Sequence, residues 1–150
     1  MVRSVTRSLA KAQSLSHGRG VSLTPLRRDV LQLVLEAGRP VGAYALLAAL
    51  RRKHGKAMPP TVYRALDFLV NQGFVHKIES LNAFVACLDV DHAHRSQFVI
   101  CNDCGRTVEL LDNALSASLV RRAHALGFHV TQQVIEIRGV CADCQGSAVA

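Results

Sequence analysis

Four of the five cysteines in this 150-residue chain form two C-x2-C pairs that are separated by 36 residues. The paired residues are Cys101, Cys104, Cys141 and Cys144. Each pair brings two thiolates close enough to bind one Zn²⁺, and two pairs complete a tetrahedron of four sulfurs. Since protein atoms fill every position around such an ion, the spacing predicts a closed, structural zinc site. A redox C-x-x-C motif and buried thiols without metal are the alternatives, and two pairs together favour zinc over either.

The fifth cysteine, Cys87, lies in a stretch that also carries other potential metal ligands. If residues 74–88 form a hairpin that turns about Leu81–Asn82, His76 lies directly across from Cys87, with the two Cβ atoms about 5 Å apart. At that separation an imidazole and a thiolate can reach one metal ion. Taken alone, Cys87 is equally well explained as a small buried apolar residue.

A second hairpin brings two further ligands into consideration. If its turn lies at Cys101–Cys104, His94 and Glu109 are within about one step of opposition. Two histidines, one thiolate and one carboxylate form a credible tetrahedral shell for a second Zn²⁺, and sulfur with imidazole favours zinc over iron(II) or manganese. The alternative ligands in the same stretch are His92, Asp89 and Asp91.

The elements that position these residues differ between the two halves of the chain. Apolar residues recur at helical spacing in the first half, and the period then changes to two. The predicted elements are helices over 4–16, 23–38, 42–55 and 59–73 and strands over 74–80 and 83–88. Three helices followed by a hairpin are typical of a winged helix-turn-helix domain, which we assign to residues 1–82, with the first helix packed onto it.

Residues 83–150 predict a second, small α/β domain, so that the whole chain has an α+β fold. Its predicted elements are strands over 96–101 and 106–111, a helix over 112–127 and a long final strand over 128–141. A domain of this size is marginally stable alone, so we expect it to need a metal, a partner or both.

Charge is distributed unevenly along the chain. Residues 1–80 contain 13 basic and 4 acidic side chains, whereas residues 81–150 contain 5 and 7. A basic first half suggests that this half binds a polyanion such as nucleic acid, although a solvated basic surface is the simpler reading of charge alone.

The predicted helix over 59–73 would enter the major groove of DNA by its N-terminal half. Thr61, Tyr63 and Arg64 occupy its first turns, opposite the apolar stripe, and Arg64 is the best candidate for a contact to guanine. Helix packing is the alternative role for Tyr63, and solubility is the alternative for the basic run before the helix. The candidate phosphate contacts in that run are Arg51, Arg52, Lys53 and Lys56.

Neither a membrane span nor a secretory signal is indicated. The longest apolar run, "VGAYALLAAL", has ten residues, whereas a spanning helix needs about 20. The first 20 residues carry four basic and no acidic side chains, which is also the composition of a mitochondrial transit peptide, but their apolar spacing favours an amphipathic helix. We therefore expect a cytoplasmic protein with reduced cysteines.

The segments "TPLRRDVL", "PPTVYRALDFLVNQGFVHKIES", "ICNDCGRTVEL" and "GVCADC" closely resemble the ferric uptake regulator family, from about residue 20 onwards. Of these, "PPTVYRALDFL" with "GFVHK" is specific to the zinc-responsive branch. The resemblance implies a homodimeric, zinc-responsive transcriptional repressor with an N-terminal winged helix and a C-terminal dimerisation domain over 83–150. It implies two zinc ions per chain, one structural, at the paired cysteines, and one regulatory. The residues matching the regulatory site are His76, Cys87, His94 and Glu109.

The chain also departs from the family pattern in two places. Arg95, Gln97 and Gln133 stand where many members have the ligands of a third metal site, and these residues cannot form one. The segment "AGRPVGA" lacks the histidine that iron and peroxide sensors use. Both departures favour zinc over iron or peroxide.

The sequence therefore predicts a repressor that binds a palindromic operator when loaded with zinc and controls genes of zinc uptake. A sister regulator that responds to iron, nickel or peroxide is the main alternative, and a zinc-ribbon scaffold without a regulatory site is another. We do not expect an enzyme, since a zinc-dependent hydrolase needs an open metal position, and a fourth ligand is available at each predicted site.

Overall fold

A computed structural model of the chain describes residues 2–87, 89–91, 97–131 and 133–147. The chain divides into two compact units, and the first of them ends at Asp91. This division comes later than the predicted boundary after residue 82, because residues 83–86 pair with strands of the first unit. No helix among the described residues is long and apolar enough to cross a membrane.

Four helices form most of the first unit, and all four were predicted. They are α1 (Val2–Gly18), α2 (Pro25–Ala37), α3 (Ala43–His54) and α4 (Pro59–Asn71). The predicted N-cap of α2 is confirmed, since the Oγ1 atom of Thr24 accepts a hydrogen bond from the backbone N–H of Arg27 at 3.4 Å. The same helix ends at Gly38, whose φ of 59° is a left-handed conformation that glycine adopts readily.

A three-stranded sheet completes the first unit. Its strands are β1 (Val41–Gly42), β2 (Val75–Ile78) and β3 (Ala83–Ala86), in the order β1-β3-β2, with all pairs antiparallel. A 3-10 turn over Glu79–Leu81 joins β2 to β3. Strand β1 was not predicted, because two residues are too few to show a period. The helices and the hairpin together confirm the winged helix-turn-helix architecture.

The apolar side chains of these elements form one core. Helix α4 contributes Val62, Leu66 and Leu69, each at most 1% exposed, so its opposite face is the one presented to solvent. The hairpin adds Phe74 and Phe84 to the same cluster. Packing therefore fixes the body of α4 in the first unit from Val62 onwards.

The second unit combines a mixed sheet with two helices. Its elements are β4 (Gln97–Cys101), β5 (Thr107–Leu110), α5 (Asn113–Ala125), β6 (Ile135–Gly139) and α6 (Ala142–Ser147). The strand order is β5-β4-β6, with β5 antiparallel and β6 parallel to β4. Asp112 is the N-cap of α5, as predicted, since its carboxylate accepts a hydrogen bond from the backbone N–H of Leu115 at 2.9 Å.

The predicted final strand over 128–141 was too long. Only Ile135–Gly139 is extended in the sheet, because β6 pairs with the five residues of β4 and has no partner strand beyond them. Helix α6, which follows Cys141, was not predicted. Its six residues are too short for an apolar period, and the second C-x2-C pair dominates the same stretch.

Candidate metal centres and nucleic-acid interface

The four paired cysteines come together in the second unit, as the spacing predicts. Their sulfur atoms all lie within 4.8 Å of one another, and the Sγ atoms of Cys104 and Cys141 are 3.7 Å apart. A tetrahedral ion with Zn–S bonds of about 2.3 Å places its sulfurs about 3.8 Å apart, whereas a disulfide requires about 2.05 Å. The sulfur positions therefore fit a four-coordinate zinc.

Backbone hydrogen bonds build the first half of this site at the end of β4. The N–H of Cys101 donates to the carbonyl of Arg106 at 2.8 Å, and the N–H of Gly105 donates back to the carbonyl of Cys101 at 3.1 Å. This tight turn needs a left-handed residue, and Gly105 supplies it with a φ of 71°. The turn brings Cys104 back beside Cys101.

The second half of the site follows β6. The N–H of Asn102 donates to the carbonyl of Gly139 at 2.8 Å, which sets the end of β6 against the first turn. The N–H of Cys144 then donates to the carbonyl of Cys141 at 3.0 Å, so both thiols lie on one side of the first turn of α6. Helix α6, which was not predicted, therefore positions the second pair of cysteines.

The electrostatics of the cluster favour a cation. Backbone N–H groups of Cys104 and Cys141 point at the sulfur of Cys101 and lower the pKa of its thiol to about 6. The neighbouring thiols of Cys141 and Cys104 raise the pKa of Cys144 far above its usual value. Protein dipoles thus stabilise one thiolate, and four thiolates at this spacing need a bound metal ion to offset their repulsion.

His76 and Cys87 also meet, but in a different register from the predicted one. His76 pairs with Val85 across the β2–β3 hairpin, and the N–H of Cys87 donates to the carbonyl of Phe74 at 3.0 Å. The prediction that His76 lies directly opposite Cys87 was therefore wrong, because the 3-10 turn shifts the pairing by two residues. Diagonal residues still share a face, and a ligand atom of His76 lies within 4.8 Å of the Sγ atom of Cys87.

The near opposition of Glu109 and His94 stays a prediction. Glu109 lies on β5 and pairs with Phe98 of β4. His94 itself lies outside the described residues, as do His92 and Arg95.

Gln97 and Gln133 act as hydrogen-bond donors in the second unit. The Nε2 atom of Gln97, which is fully buried, donates to the carbonyl of Asp112 at 2.6 Å and to the hydroxyl of Ser116 at 3.1 Å. The Nε2 atom of Gln133 donates to the carbonyl of Ser116 at 3.4 Å. The Gln97 amide fastens α5 to β4, and the Gln133 amide, in the segment before β6, adds a second hydrogen bond to α5.

The first turns of α4 present a polar face, as predicted. Thr61, Tyr63 and Arg64 are exposed, on the side opposite the buried stripe. Tyr63 is 40% exposed, which argues against the alternative that it only packs against other helices. The face has the size and the donor groups needed to read base edges in a major groove.

The four basic side chains of the run before α4 are all exposed, and two of them have partners within the protein. The guanidinium of Arg51 donates to the carbonyl of Ala57 at 3.0 Å, and Lys53 forms an ion pair with Asp29 of α2. Arg52 and Lys56 are exposed. The sequence predicted all four as phosphate contacts and did not indicate a role for Asp29. The signal that could have found Asp29 is its position as an acidic residue in an otherwise basic segment.

The comparisons with known proteins agree with this architecture. The profile of the ferric uptake regulator family matches residues 18–138. The zinc uptake regulation protein of Escherichia coli strain K12 is 43% identical over 137 residues, which cover 91% of this chain and 80% of that protein.

Solved structures give the same result. A zinc uptake regulator complexed with zinc and DNA matches with a TM-score of 0.93 at 40% identity, over 97% of this chain and 98% of that chain. Holo XcZur matches with a TM-score of 0.85 at 46% identity, over 92% of this chain and 96% of that chain. Because the family profile and the 43% identical relative both span most of the sequence, the chain belongs to the ferric uptake regulator family.

Proposed function

We propose that this chain is a zinc-responsive transcriptional repressor, which binds a palindromic operator as a homodimer when zinc is available and thereby controls genes of zinc uptake. The observation that carries the proposal is the closeness of His76 and Cys87, whose ligand atoms lie within 4.8 Å of each other in the unit that contains α4. An imidazole and a thiol within 4.8 Å can begin a zinc site beside the elements that would touch DNA.

Two zinc ions per chain have different roles in this proposal. The four-sulfur site is closed and structural, because every ligand comes from one small unit and leaves no open position. The regulatory ion takes His76 and Cys87 from the first unit, and His94 and Glu109 are the remaining ligands proposed from the sequence. A mixed shell of nitrogen, sulfur and oxygen binds zinc more weakly than four thiolates in a folded knuckle, which suits a sensor.

DNA recognition is assigned to α4 and its surroundings. The exposed guanidinium of Arg64 would contact guanine, while Thr61 and Tyr63 would contact neighbouring bases or phosphates. Arg52 and Lys56 would bind phosphates, which sets affinity rather than sequence preference. The relative solved with zinc and DNA supports this assignment.

The second unit supports self-association. Exposed apolar side chains lie on one face of its sheet, where Val108 of β5 and Ile137 of β6 both align with β4, and on α5, which exposes Leu119. A monomeric protein rarely leaves so much apolar surface in contact with water, so we assign this surface to a homodimer interface. Two-fold symmetry of the dimer is the reason to expect a palindromic operator.

Zinc control of DNA binding then follows from linkage. If the regulatory ion favours the arrangement in which both α4 helices match successive half-sites, zinc and DNA strengthen each other's binding by the same factor. Couplings of this kind are typically about 1–3 kcal/mol, which is roughly 5- to 150-fold in affinity.

The test is a count of bound zinc under graded chelator competition, for the wild type and for Cys87→Ser. We expect two zinc ions in the wild type, and loss of only the weaker one in Cys87→Ser. The comparison variant is Cys144→Ser, which should lose the tighter ion and also the weaker one, because the second unit that carries His94 and Glu109 then unfolds. A selected DNA duplex should bind the wild type, but not Cys87→Ser, more tightly as zinc rises. Normal zinc-dependent DNA binding by Cys87→Ser would contradict the assignment, and a stronger response to iron or nickel would identify a sister regulator instead.

A further inference from the structure

Asp29 of α2 forms two ion pairs with the C-terminal end of α3. Its Oδ1 atom accepts a hydrogen bond from the ammonium of Lys53, and its Oδ2 atom lies 2.7 Å from the Nε2 atom of His54. Each carboxylate oxygen therefore has its own partner. The Asp29 side chain is only 13% exposed, whereas its two partners are nearly half exposed, so the pairs are anchored at a largely buried acid.

The charge state of Asp29 agrees with this geometry. Burial raises the pKa of its carboxyl, but the hydrogen bonds from Lys53 and His54 outweigh burial and hold the pKa below its usual value. The carboxylate is consequently ionised throughout the neutral range, and both contacts are charge-assisted when His54 is protonated.

These ion pairs lie at the turn that leads into α4. The turn is closed by Gly55, whose N–H donates to the carbonyl of Arg51 at 2.8 Å, and the Arg51 side chain reaches across it to the carbonyl of Ala57. Ala57 of the turn and Val62 of α4 are buried in the apolar core, while a cavity of about 360 Å³ lies between the start of α2 and the turn. Its lining includes Leu26, Asp29, His54, Met58 and Thr61.

We propose that Asp29 is a positioning residue for DNA binding, because its carboxylate holds Lys53 and His54 against α2 and thereby fixes the turn that sets the N-terminus of α4. Lys53 and His54 then act as partners of Asp29 within the protein and not as phosphate contacts. This inference rests on the proposed function, in which α4 reads the operator.

The expected effect of Asp29→Asn on DNA affinity is opposite in sign to the effect that electrostatics alone would give. An acid close to a DNA-binding surface repels phosphates, so its removal ordinarily tightens DNA binding. If Asp29 instead positions the turn, Asp29→Asn loosens α4 and weakens binding even though the protein becomes more positive.

The experiment compares full-length, zinc-loaded variants on a duplex that the wild type has selected from a randomised pool. We expect Asp29→Asn to bind about fivefold more weakly. Asp67→Asn is the matched control, since it removes the same charge from an exposed position on α4 itself. It should bind as tightly as the wild type or more tightly.

The dependence of affinity on salt separates a structural cation from a phosphate contact. Loss of one phosphate contact lowers the slope of log K against log salt by about 0.9. We expect this change for Lys56→Gln and none for Lys53→Gln. The double variant Asp29→Asn/Lys53→Gln should bind no more weakly than the weaker of its single variants, because both changes remove the same contact.

Amide hydrogen exchange in the absence of DNA tests the role of the Asp29 contacts with Lys53 and His54 independently of the operator. Asp29→Asn should speed exchange at residues 51–58 and leave the β2–β3 hairpin unchanged, whereas Asp67→Asn should do neither. Unchanged exchange in Asp29→Asn overturns the inference, as does tighter DNA binding by Asp29→Asn with a lowered salt slope for Lys53→Gln. Failure of the wild type to select any sequence would defeat the proposed function, and exchange would still decide the role of Asp29.

Discussion

The two units of this chain bury apolar surface to very different extents. In the first, one cluster of buried side chains is drawn from all four helices and the hairpin. In the second, the buried apolar side chains among the described residues are Phe98, Ile100 and Cys101. Its large apolar side chains that remain exposed are Val108, Leu110, Leu111, Leu115, Leu119, Leu126, Phe128, Val134, Ile137 and Val140.

This difference shows that the two units obtain stability from different sources. Burial of apolar side chains contributes about 25 cal/mol per Å², so the first unit is stabilised mainly by its own core. The second unit has few buried side chains among the described residues, so we expect the proposed metal site and the proposed self-association surface to supply the remainder. The measurements below test the comparison, from the largest expected effect to the smallest.

The largest expected effect is the loss of the four-sulfur site. Replacing both Cys141 and Cys144 with serine should remove a zinc ion whose binding contributes about 10–16 kcal/mol in small structural sites. We expect the second unit to unfold while the first stays folded, as measured by amide exchange across the whole chain. Persistent protection in β4 and α5 would show that the second unit has a sufficient core of its own.

A matched pair of leucine substitutions compares the two kinds of apolar surface. Leu66→Ala removes a side chain with 0% exposure and should destabilise the first unit by about 2–5 kcal/mol. Leu115→Ala, at 40% exposure, should change the stability of the monomer by less than about 0.5 kcal/mol. Urea unfolding measures both effects.

The dimer dissociation constant should respond in the reverse order, changing more in Leu115→Ala than in Leu66→Ala. We expect Leu115→Ala to weaken the dimer in sedimentation equilibrium, because it trims the surface assigned to the interface. A large loss of monomer stability in Leu115→Ala, or an unchanged dimer constant, would contradict the assignment of that surface.

The helix caps provide a smaller test with one site in each unit. Thr24→Ala and Asp112→Ala each remove a side-chain acceptor at a helix N-terminus, and each should cost about 0.5–2 kcal/mol. Asp112→Ala should lower stability more than Thr24→Ala, because the charge of Asp112 also interacts with the helix dipole. Exchange rates in the first turns of α2 and α5 measure the effects, and the conservative variants Thr24→Ser and Asp112→Asn should restore most of the protection.

Acid provides the last and smallest test in the first unit. The pKa of Asp29 is lowered in the folded state. Its contribution to the free energy of unfolding is therefore present above the unfolded pKa of about 3.9 and is lost as pH falls through the folded pKa. That contribution is at most about 1 kcal/mol, because the partner side chains are nearly half exposed. The difference in stability between the wild type and Asp29→Asn should therefore shrink below about pH 4.

The second unit should respond to acid earlier. Protons compete with zinc for thiolates, so acid should release the structural ion and unfold that unit at a higher pH than the first. Simultaneous acid unfolding of both units would show that they are not stabilised independently.

The sequence by itself determined most of the architecture. The helices of the first unit follow from apolar residues at helical spacing together with the Thr24 cap and the terminal glycines, which are local signals. The C-x2-C pairs likewise determined the four-sulfur site, since two residues between cysteines bring their thiols to one ion in any tight turn. The exposed face of α4 followed from the same reasoning, because burial of one face leaves the other to solvent.

Tertiary structure decided the features that depend on register and on distant partners. The 3-10 turn moved the partner of His76 from Cys87 to Val85, and β4 limited the length of β6, because strand pairing is set by turn geometry and by the partner strand. Charge patterns could not show that Lys53 is held by Asp29, since that contact joins two helices and depends on how they pack. Local spacing thus determined which elements form and which thiols can meet, whereas packing between elements decided which charged side chains have partners within the protein.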